Sequence, residues 1–212
     1  GRKAGIGKPV DFSHPLLGRF KEIVDALDPG RRCIPTSSSG PRFGADENDF
    51  GKGLHWDVHG PWKPVGKFPE DWTRYWENDD ALLRSETGSP GASSVAIMKK
   101  YCGDIDPFPC TMDNPLWKRV SCWVASPVFN EEKGREPKAL AEYVEWSQPR
   151  QAEALAIAAK ATKDRFPAIG GFIIWMGHDS YPCMANTAIL DFNGDPKPGA
   201  LAVGEVFNTP VK

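Results

Sequence analysis

The sequence contains no long apolar run and no excess of basic residues. Its longest apolar candidate, residues 169–176, stops at Gly177, whereas a membrane-spanning helix needs about 20 apolar residues. The 26 Lys and Arg are balanced by 28 Asp and Glu, for a formal net charge of -2. We therefore expect no membrane insertion by this segment and no partner recognised by a basic field, such as nucleic acid or an acidic membrane surface.

Cysteine is also scarce, and its spacing is uninformative. The five cysteines are odd in number and form no C-x-x-C pair, which argues against a disulfide framework and a zinc knuckle. One bridge, between Cys102 and Cys110, stays open for an oxidising compartment. The chain opens at Gly1 without a signal peptide, so we expect a processed piece. Its localisation is left open, and a secreted or periplasmic protein is compatible with it.

Aromatic residues, by contrast, are plentiful. The 212 residues include eight Trp and 11 Phe, and several of the Trp stand beside polar or turn residues instead of in aliphatic runs. Flat aromatic rings on a nearly neutral surface are typical of sugar binding, because sugar C–H faces stack on rings while hydroxyl groups accept and donate hydrogen bonds. With 40% hydrophobic and 25% charged residues, the composition indicates a globular protein with one sizeable core.

The order of predicted elements indicates a parallel α/β fold. We predict strands near residues 33, 55, 83 and 173, separated by segments too long for hairpins. Helices are predicted over 14–28, 95–101, 116–125, 138–164 with a kink or division at Pro149, and 198–206. Four β/α units make about half of an eight-stranded TIM-type barrel, which needs roughly 250 residues. We expect one domain over 1–212, with a loop or frayed start at 1–12 and a linker beginning at 208–212.

Two predicted strands carry ionisable side chains. Glu86 ends a short apolar stretch just before a glycine and proline turn, as a reactive acid at a barrel mouth would. Arg84, two residues earlier, should point to the same side, either to keep that carboxylate ionised or to form an ion pair in the wall. Residues 53–60 alternate strictly, which places His55, Asp57 and His59 on one face.

Loops at the expected site are also distinctive. Residues 61–80 are long and aromatic, which predicts a binding loop. Residues 37–39 are three serines that should form a hydroxyl-rich loop near the site. The apolar strand 171–176 carries Trp175 and opens abruptly into a polar turn at 177–182.

Four stretches together resemble a known family. They are RSETG at 84–88, GLHWDVH at 53–59, IWMGHDSYP at 174–182 and DFNGDPKP at 191–198. Their order is similar to the catalytic barrel of glycoside hydrolase family 2, and most of all to its β-mannosidase and exo-β-glucosaminidase branch. The likeness spans roughly residues 14–207.

The resemblance implies a retaining exo-β-glycosidase that removes the non-reducing-end sugar of β-linked oligosaccharides or glycosides. This chain would supply strands five to eight of a (β/α)8 barrel, with Glu86 as the nucleophile and Trp175 as the floor of the sugar subsite. Retaining hydrolysis needs a second carboxyl group ~5 Å away. In the family it belongs to an Asn-Glu pair upstream of this chain, so the acid/base Glu would come from a missing N-terminal barrel half, in the same precursor or another chain.

The resemblance also implies roles for further residues, and two alternative functions compete with it. Asn130-Glu131 has the same residue types as the family's acid/base pair. It lies between two later predicted strands, so we do not assign it that role. Sugar contacts are expected from six further side chains: His55, Trp56, Asp57, His59, Trp62 and Asp179, of which Asp179 could instead cap its turn. No cofactor is implied. Two alternatives remain: a metal-dependent hydrolase that uses His55, Asp57 and His59, and a non-catalytic carbohydrate-binding barrel fragment.

Overall fold

The computed structural model describes residues 10–210, so the predicted frayed start and linker fall partly outside the described residues. The α-helices are α1 (Pro15–Leu27), α2 (Glu70–Asn78), α3 (Val95–Tyr101), α4 (Pro115–Lys118), α5 (Ser126–Lys133), α6 (Leu140–Asp164) and α7 (Pro198–Asn208). The strands are β1 (Val58–His59), β2 (Leu83–Thr87), β3 (Gly91–Ala92), β4 (Gly171–Ile174) and β5 (Ala185–Asn186). Two short 3-10 helices span Glu47–Asp49 and Ser121–Trp123. None of the helices in this part of the chain is long and apolar enough to cross a membrane.

A small parallel sheet organises the fold. β2 lies between β1 and β4 and pairs with both in parallel, with Val58 opposite Arg84 and Thr87 opposite Ile174. β3 and β5 form a separate antiparallel pair. The long helix α6 packs against α7, α2 and β3. The predicted α/β class with a parallel sheet is confirmed, whereas residues 10–210 form an open sheet and do not close a barrel.

The first predicted strand is wrong. Residues 32–36 form no strand, and the neighbour of β1 is instead an irregular segment that makes isolated bridges, from Ser39 to Asp57 and from Gly44 to His59. Serine, glycine and proline are concentrated at residues 35–41, and these residues favour turns over a regular ladder. The strand predicted through 53–60 is correspondingly short, because only Val58 and His59 belong to it.

The aromatic segment 61–80, predicted as a binding loop, is irregular only at its start. Its second half forms α2, whose Trp72, Tyr75 and Trp76 are buried against α6. Trp72 donates its indole N–H to the carbonyl of Ala154 over 2.9 Å. The three aromatic residues follow the i, i+3, i+4 spacing of a helix face, which was the sequence signal for this helix.

Several helix predictions hold and others change. α1, α3 and α7 form close to the predicted bounds, while the region 116–125 contains α4 and a 3-10 turn instead of one helix. Pro149 does not divide α6, which runs unbroken through it. Proline costs a helix about 3 kcal/mol, and the burial of nine side chains along α6 offsets that cost.

The cysteines form no bridge. All five are free thiols, so the Cys102–Cys110 bridge left open by the sequence is not formed. Burial raises the pKa of the Cys110 thiol to about 12. Burial and the nearby carboxylate of Asp179 do the same for Cys183. Both buried thiols are therefore protonated at neutral pH and serve as small apolar core groups.

A buried ion-pair cluster lies on the α2 side of the sheet. The Arg84 guanidinium contacts the Asp79 carboxylate and donates to the carbonyl of Gly60 and the hydroxyl of Tyr75. Arg165 donates to the second oxygen of Asp79 over 2.7 Å. Arg84 is therefore a structural residue on the α2 side of the sheet. The pairing of β1 with β2 is irregular between Arg84 and Glu86, which is why the simple alternation rule does not place them together.

Replacing Asp79 should destabilise the fold strongly. Asp79→Ala leaves the buried Arg84 guanidinium without its carboxylate, and breaking such a pair costs about 3–5 kcal/mol. We expect that loss in the free energy of unfolding measured by urea denaturation. Asp164→Ala is the matched control, because its pair with Lys160 is exposed and such pairs contribute at most about 1 kcal/mol. Equal stability of the two variants would contradict the role given to Asp79.

Candidate active site

The site lies where β2 and β4 end side by side. Glu86 is the penultimate residue of β2, and Trp175 follows β4 directly. The backbone N–H of Trp175 donates to the carbonyl of Thr87 over 2.7 Å. A Cβ on Gly88 would lie 2.6 Å from the carbonyl oxygen of Trp175, so only glycine permits this approach. The two residues chosen from sequence therefore share one edge of the parallel sheet, where α/β proteins place their ligands.

The Glu86 carboxylate is oriented by the segment that follows β1. The indole N–H of Trp62 donates to Oε1 over 2.8 Å, and Nδ1 of His59 lies 3.6 Å from Oε2. The backbone N–H of Gly60 donates to the Glu86 carbonyl over 2.6 Å. The Glu86 side chain is 19% exposed and that of His59 is 25% exposed. The carboxylate is thus fixed in direction and still open to a ligand.

Exposed aromatic side chains follow β4 and precede β1. Trp175 is 42% exposed, and Ile173 on the same strand is 57% exposed. Trp56 is also exposed, and its indole N–H donates to the carbonyl of Gly53 over 3.0 Å. A flat, accessible indole at a strand end can stack on the apolar face of a sugar ring.

His55 and Asp57 lie deeper in the protein. His55 is buried, with its Nδ1 2.6 Å from Oδ1 of Asp80, and its ring packs edge-on against Phe50. Asp57 is buried as well, and neither carboxylate oxygen has a hydrogen-bond partner among the described residues. Within residues 10–210, no three His, Cys, Asp or Glu side chains are grouped so that they could hold a metal ion. The alternative of a metal site at His55, Asp57 and His59 therefore gains no support from the geometry.

Asp179 is occupied by an internal partner. It is buried, and Nζ of Lys197, also buried, lies 3.0 Å from its Oδ2. The backbone N–H of Asp179 donates to the carbonyl of Leu190. These contacts attach the loop after β4 to the segment before α7, which fits the structural role left open for Asp179 in its turn.

One further residue near the site was not chosen from the sequence, and one serine of the predicted loop contacts a site residue. Gln151 of α6 donates its amide to the carbonyls of Ser89, Thr187 and Ala188 at 2.9, 3.3 and 3.2 Å, which ties the turn after β2 to the segment after β5. Ser37 belongs to the predicted hydroxyl-rich loop, and its Oγ lies 3.4 Å from Nε2 of His59. A glutamine in an alanine-rich helix and one serine among three carry no periodic signal.

Sizeable cavities elsewhere in the chain are separate from this edge. One of about 870 Å³ lies between the ends of α6 and α7, and another of about 570 Å³ lies beside α2. Neither is lined by Glu86, Trp175, Trp62 or His59.

Comparison with known proteins agrees with the fold. The chain matches no protein-family description and no curated protein. Among solved structures it is similar to the β-D-mannosidase from Dictyoglomus thermophilum, with a TM-score of 0.62 and 19% sequence identity. The match covers 92% of this chain and 23% of that chain, so the present chain spans about a quarter of that protein's length. At this identity, the likeness establishes a shared fold.

Proposed function

We propose that this chain is the nucleophile-bearing part of a retaining exo-β-glycosidase. The observation that carries the proposal is the Glu86 carboxylate near a strand end, held by Trp62 and His59, at the sheet edge where the half-exposed Trp175 follows the neighbouring strand. A carboxylate fixed by neutral or weakly basic donors, next to an aromatic platform, is the arrangement that glycosyl transfer to an enzyme requires.

The proposed reaction has two steps. In the first, the Glu86 carboxylate attacks the anomeric carbon, the glycosidic bond breaks, and the leaving oxygen takes a proton from an external carboxylic acid. In the second, the same external group, now a carboxylate, takes a proton from a water molecule whose oxygen attacks the anomeric carbon, and the bond to Glu86 breaks to release the sugar and the Glu86 carboxylate. Trp175 would support the sugar ring from below. Trp62, His59 and the exposed Trp56 would contact it from the β1 side, whereas the buried His55, Asp57 and Asp179 would act through neighbouring groups.

The substrate proposal follows the same site. No Lys or Arg side chain contacts Glu86 among the described residues, since its partners there are Trp62 and His59. A neutral sugar fits such surroundings better than a uronic acid does. The similar structure is named a β-D-mannosidase, so β-mannosides are the first substrates to test.

The acid/base carboxyl is proposed to come from an N-terminal barrel half of the same precursor, docked on surfaces that this chain leaves open. α1 buries none of its residues, although one face carries Leu16, Phe20, Ile23 and Leu27. Leu82, just before β2, and Ile173 on β4 are also exposed. Exposed apolar faces of this kind mark interaction sites. The β-mannosidase of similar fold has more than three quarters of its chain beyond the matched part, which is enough for such a half.

Labelling should identify Glu86 directly. A 2-deoxy-2-fluoro β-glycoside with a good leaving group traps the glycosyl ester, because the fluorine slows its hydrolysis. In the intact protein we expect peptide mapping to find the sugar on Glu86, and Glu86→Gln to lower kcat on the order of 10⁴-fold or more. Glu131→Gln is the matched control and should keep full activity. Attachment to another residue, or sugar binding with activity untouched by Glu86→Gln, would overturn the assignment; the latter result favours the carbohydrate-binding alternative.

The chain alone should hydrolyse poorly. A positioned general acid contributes about 10²–10⁴-fold to the rate, so residues 1–212 should cleave β-linked disaccharides, whose leaving alcohol needs a proton, at least about 10²-fold slower than the intact enzyme. Circular dichroism and a cooperative unfolding transition verify that the isolated chain is folded. Hydrolysis by residues 1–212 at the rate of an ordinary glycosidase would refute the proposed external acid.

A further inference from the structure

His59 lies between a hydroxyl group and a carboxylate. Its Nε2 is 3.4 Å from Oγ of Ser37, and its Nδ1 is 3.6 Å from Oε2 of Glu86. Ser37 belongs to the irregular segment that flanks β1, whereas Glu86 belongs to β2 on the other side of it. The imidazole ring therefore connects the two neighbours of β1 at the site.

The hydrogen-bonding properties of Ser37 and Glu86 favour one tautomer of the His59 ring. An ionised carboxylate only accepts hydrogen bonds, so it favours, across a separation of 3.6 Å, a proton on the nitrogen that faces Glu86. A neutral imidazole then has its lone pair on Nε2, and a serine hydroxyl can donate into that lone pair. Free neutral histidine prefers the opposite tautomer, with the proton on Nε2. The site thus needs a donor at Nε2 to favour the less common form.

The backbone holds both ends of this arrangement in place. The N–H of Ser39 donates to the carbonyl of Asp57, and the N–H of His59 donates to the carbonyl of Phe43. These bonds fix the serine loop against β1 on either side of the ring. Ser37 therefore reaches His59 from a loop whose position does not depend on substrate.

We propose that Ser37 is a positioning residue that selects the Nδ1–H tautomer of His59 and so directs an N–H donor at Glu86. This inference rests on the proposed function, because it assigns a task to His59 in the glycosidase reaction. The negative charge of Glu86 is consumed when the glycosyl ester forms and returns when the ester is hydrolysed. A fixed N–H beside Oε2 stabilises that returning charge without reorganisation of solvent.

The first test reads the tautomer without any substrate. The chain has four histidines, so ¹⁵N-histidine labelling and two-bond ¹⁵N–¹H correlation spectra at pH 8 resolve each ring, with His59→Gln assigning its signals. We expect His59 in the Nδ1–H form. Ser37→Ala should move it toward the Nε2–H form, and Ser37→Thr should restore the Nδ1–H form. Ser39→Ala, which keeps its backbone bond to Asp57, is the control and should leave the tautomer unchanged.

The second test reads the reaction in the intact enzyme. Ser37→Ala should lower the rate of glycosyl-ester hydrolysis about 10-fold, in the range seen when an outer partner of a functional histidine is removed, with a smaller change in KM. A wild-type His59 in the Nε2–H form, or a tautomer that Ser37→Ala leaves unchanged, would overturn the inference. If the intact protein cleaves no glycoside while His59 shows the expected tautomer and response, the proposed function fails and the positioning role of Ser37 stands.

Discussion

The backbone hydrogen bond from Trp175 to Thr87 is the constraint on which the site depends. It aligns the ends of two parallel strands, and parallel strands deliver their last side chains to one edge of a sheet. Gly88 makes the contact possible, because a side chain there would collide with the carbonyl of Trp175. Gln151 then attaches the turn after β2 to the segment after β5. Backbone geometry thereby brings the ends of β2 and β4, with Glu86 and Trp175, to one edge of the sheet.

Charged side chains have different partners on the α2 side of the sheet and at the edge of the sheet. Behind it, Arg84 is neutralised by Asp79, and Arg165 completes the cluster among the rings of α2. At the edge of the sheet, the Glu86 carboxylate contacts Trp62 and His59. Strong ion pairing therefore stabilises the scaffold, while the candidate nucleophile keeps weaker partners that a substrate can displace. Among residues 10–210, α1 buries none of its side chains, so its apolar face is accessible.

The parts predicted well from sequence are those with a periodic signal. The amphipathic spacing of α1 and the continuous apolar run of β4 both appear at the expected places, and parallel-sheet logic then places Glu86 near Trp175. Residues 32–41 are rich in serine and show no such periodicity, and the strand expected at residues 32–36 is absent. α2 was missed because its turn-rich start at residues 61–69 concealed a helical aromatic spacing.

Other contacts of the site could not be derived from the sequence. Trp62 reaches Glu86 across 24 residues and Ser37 reaches His59 across 22 residues, both from irregular segments where side-chain direction has no repeat. The alternation rule predicted that Arg84 and Glu86 point to the same side of β2. It does not apply simply here, because the pairing of β1 with β2 shifts register between these two residues. Such irregularities occur where strands end and sites form, so local patterns are least informative at these positions.

Azide rescue of a Glu86→Ala variant of the intact protein tests the central claim most directly. If Glu86 is the nucleophile, azide occupies its place below the ring and yields a glycosyl azide of α configuration from a β-glycoside, in a single inverting displacement. The account predicts that α-azide and a restored rate. A β-glycosyl azide would mean that Glu86 is the acid/base residue, and the absence of any rescue in a folded variant would contradict a nucleophilic role.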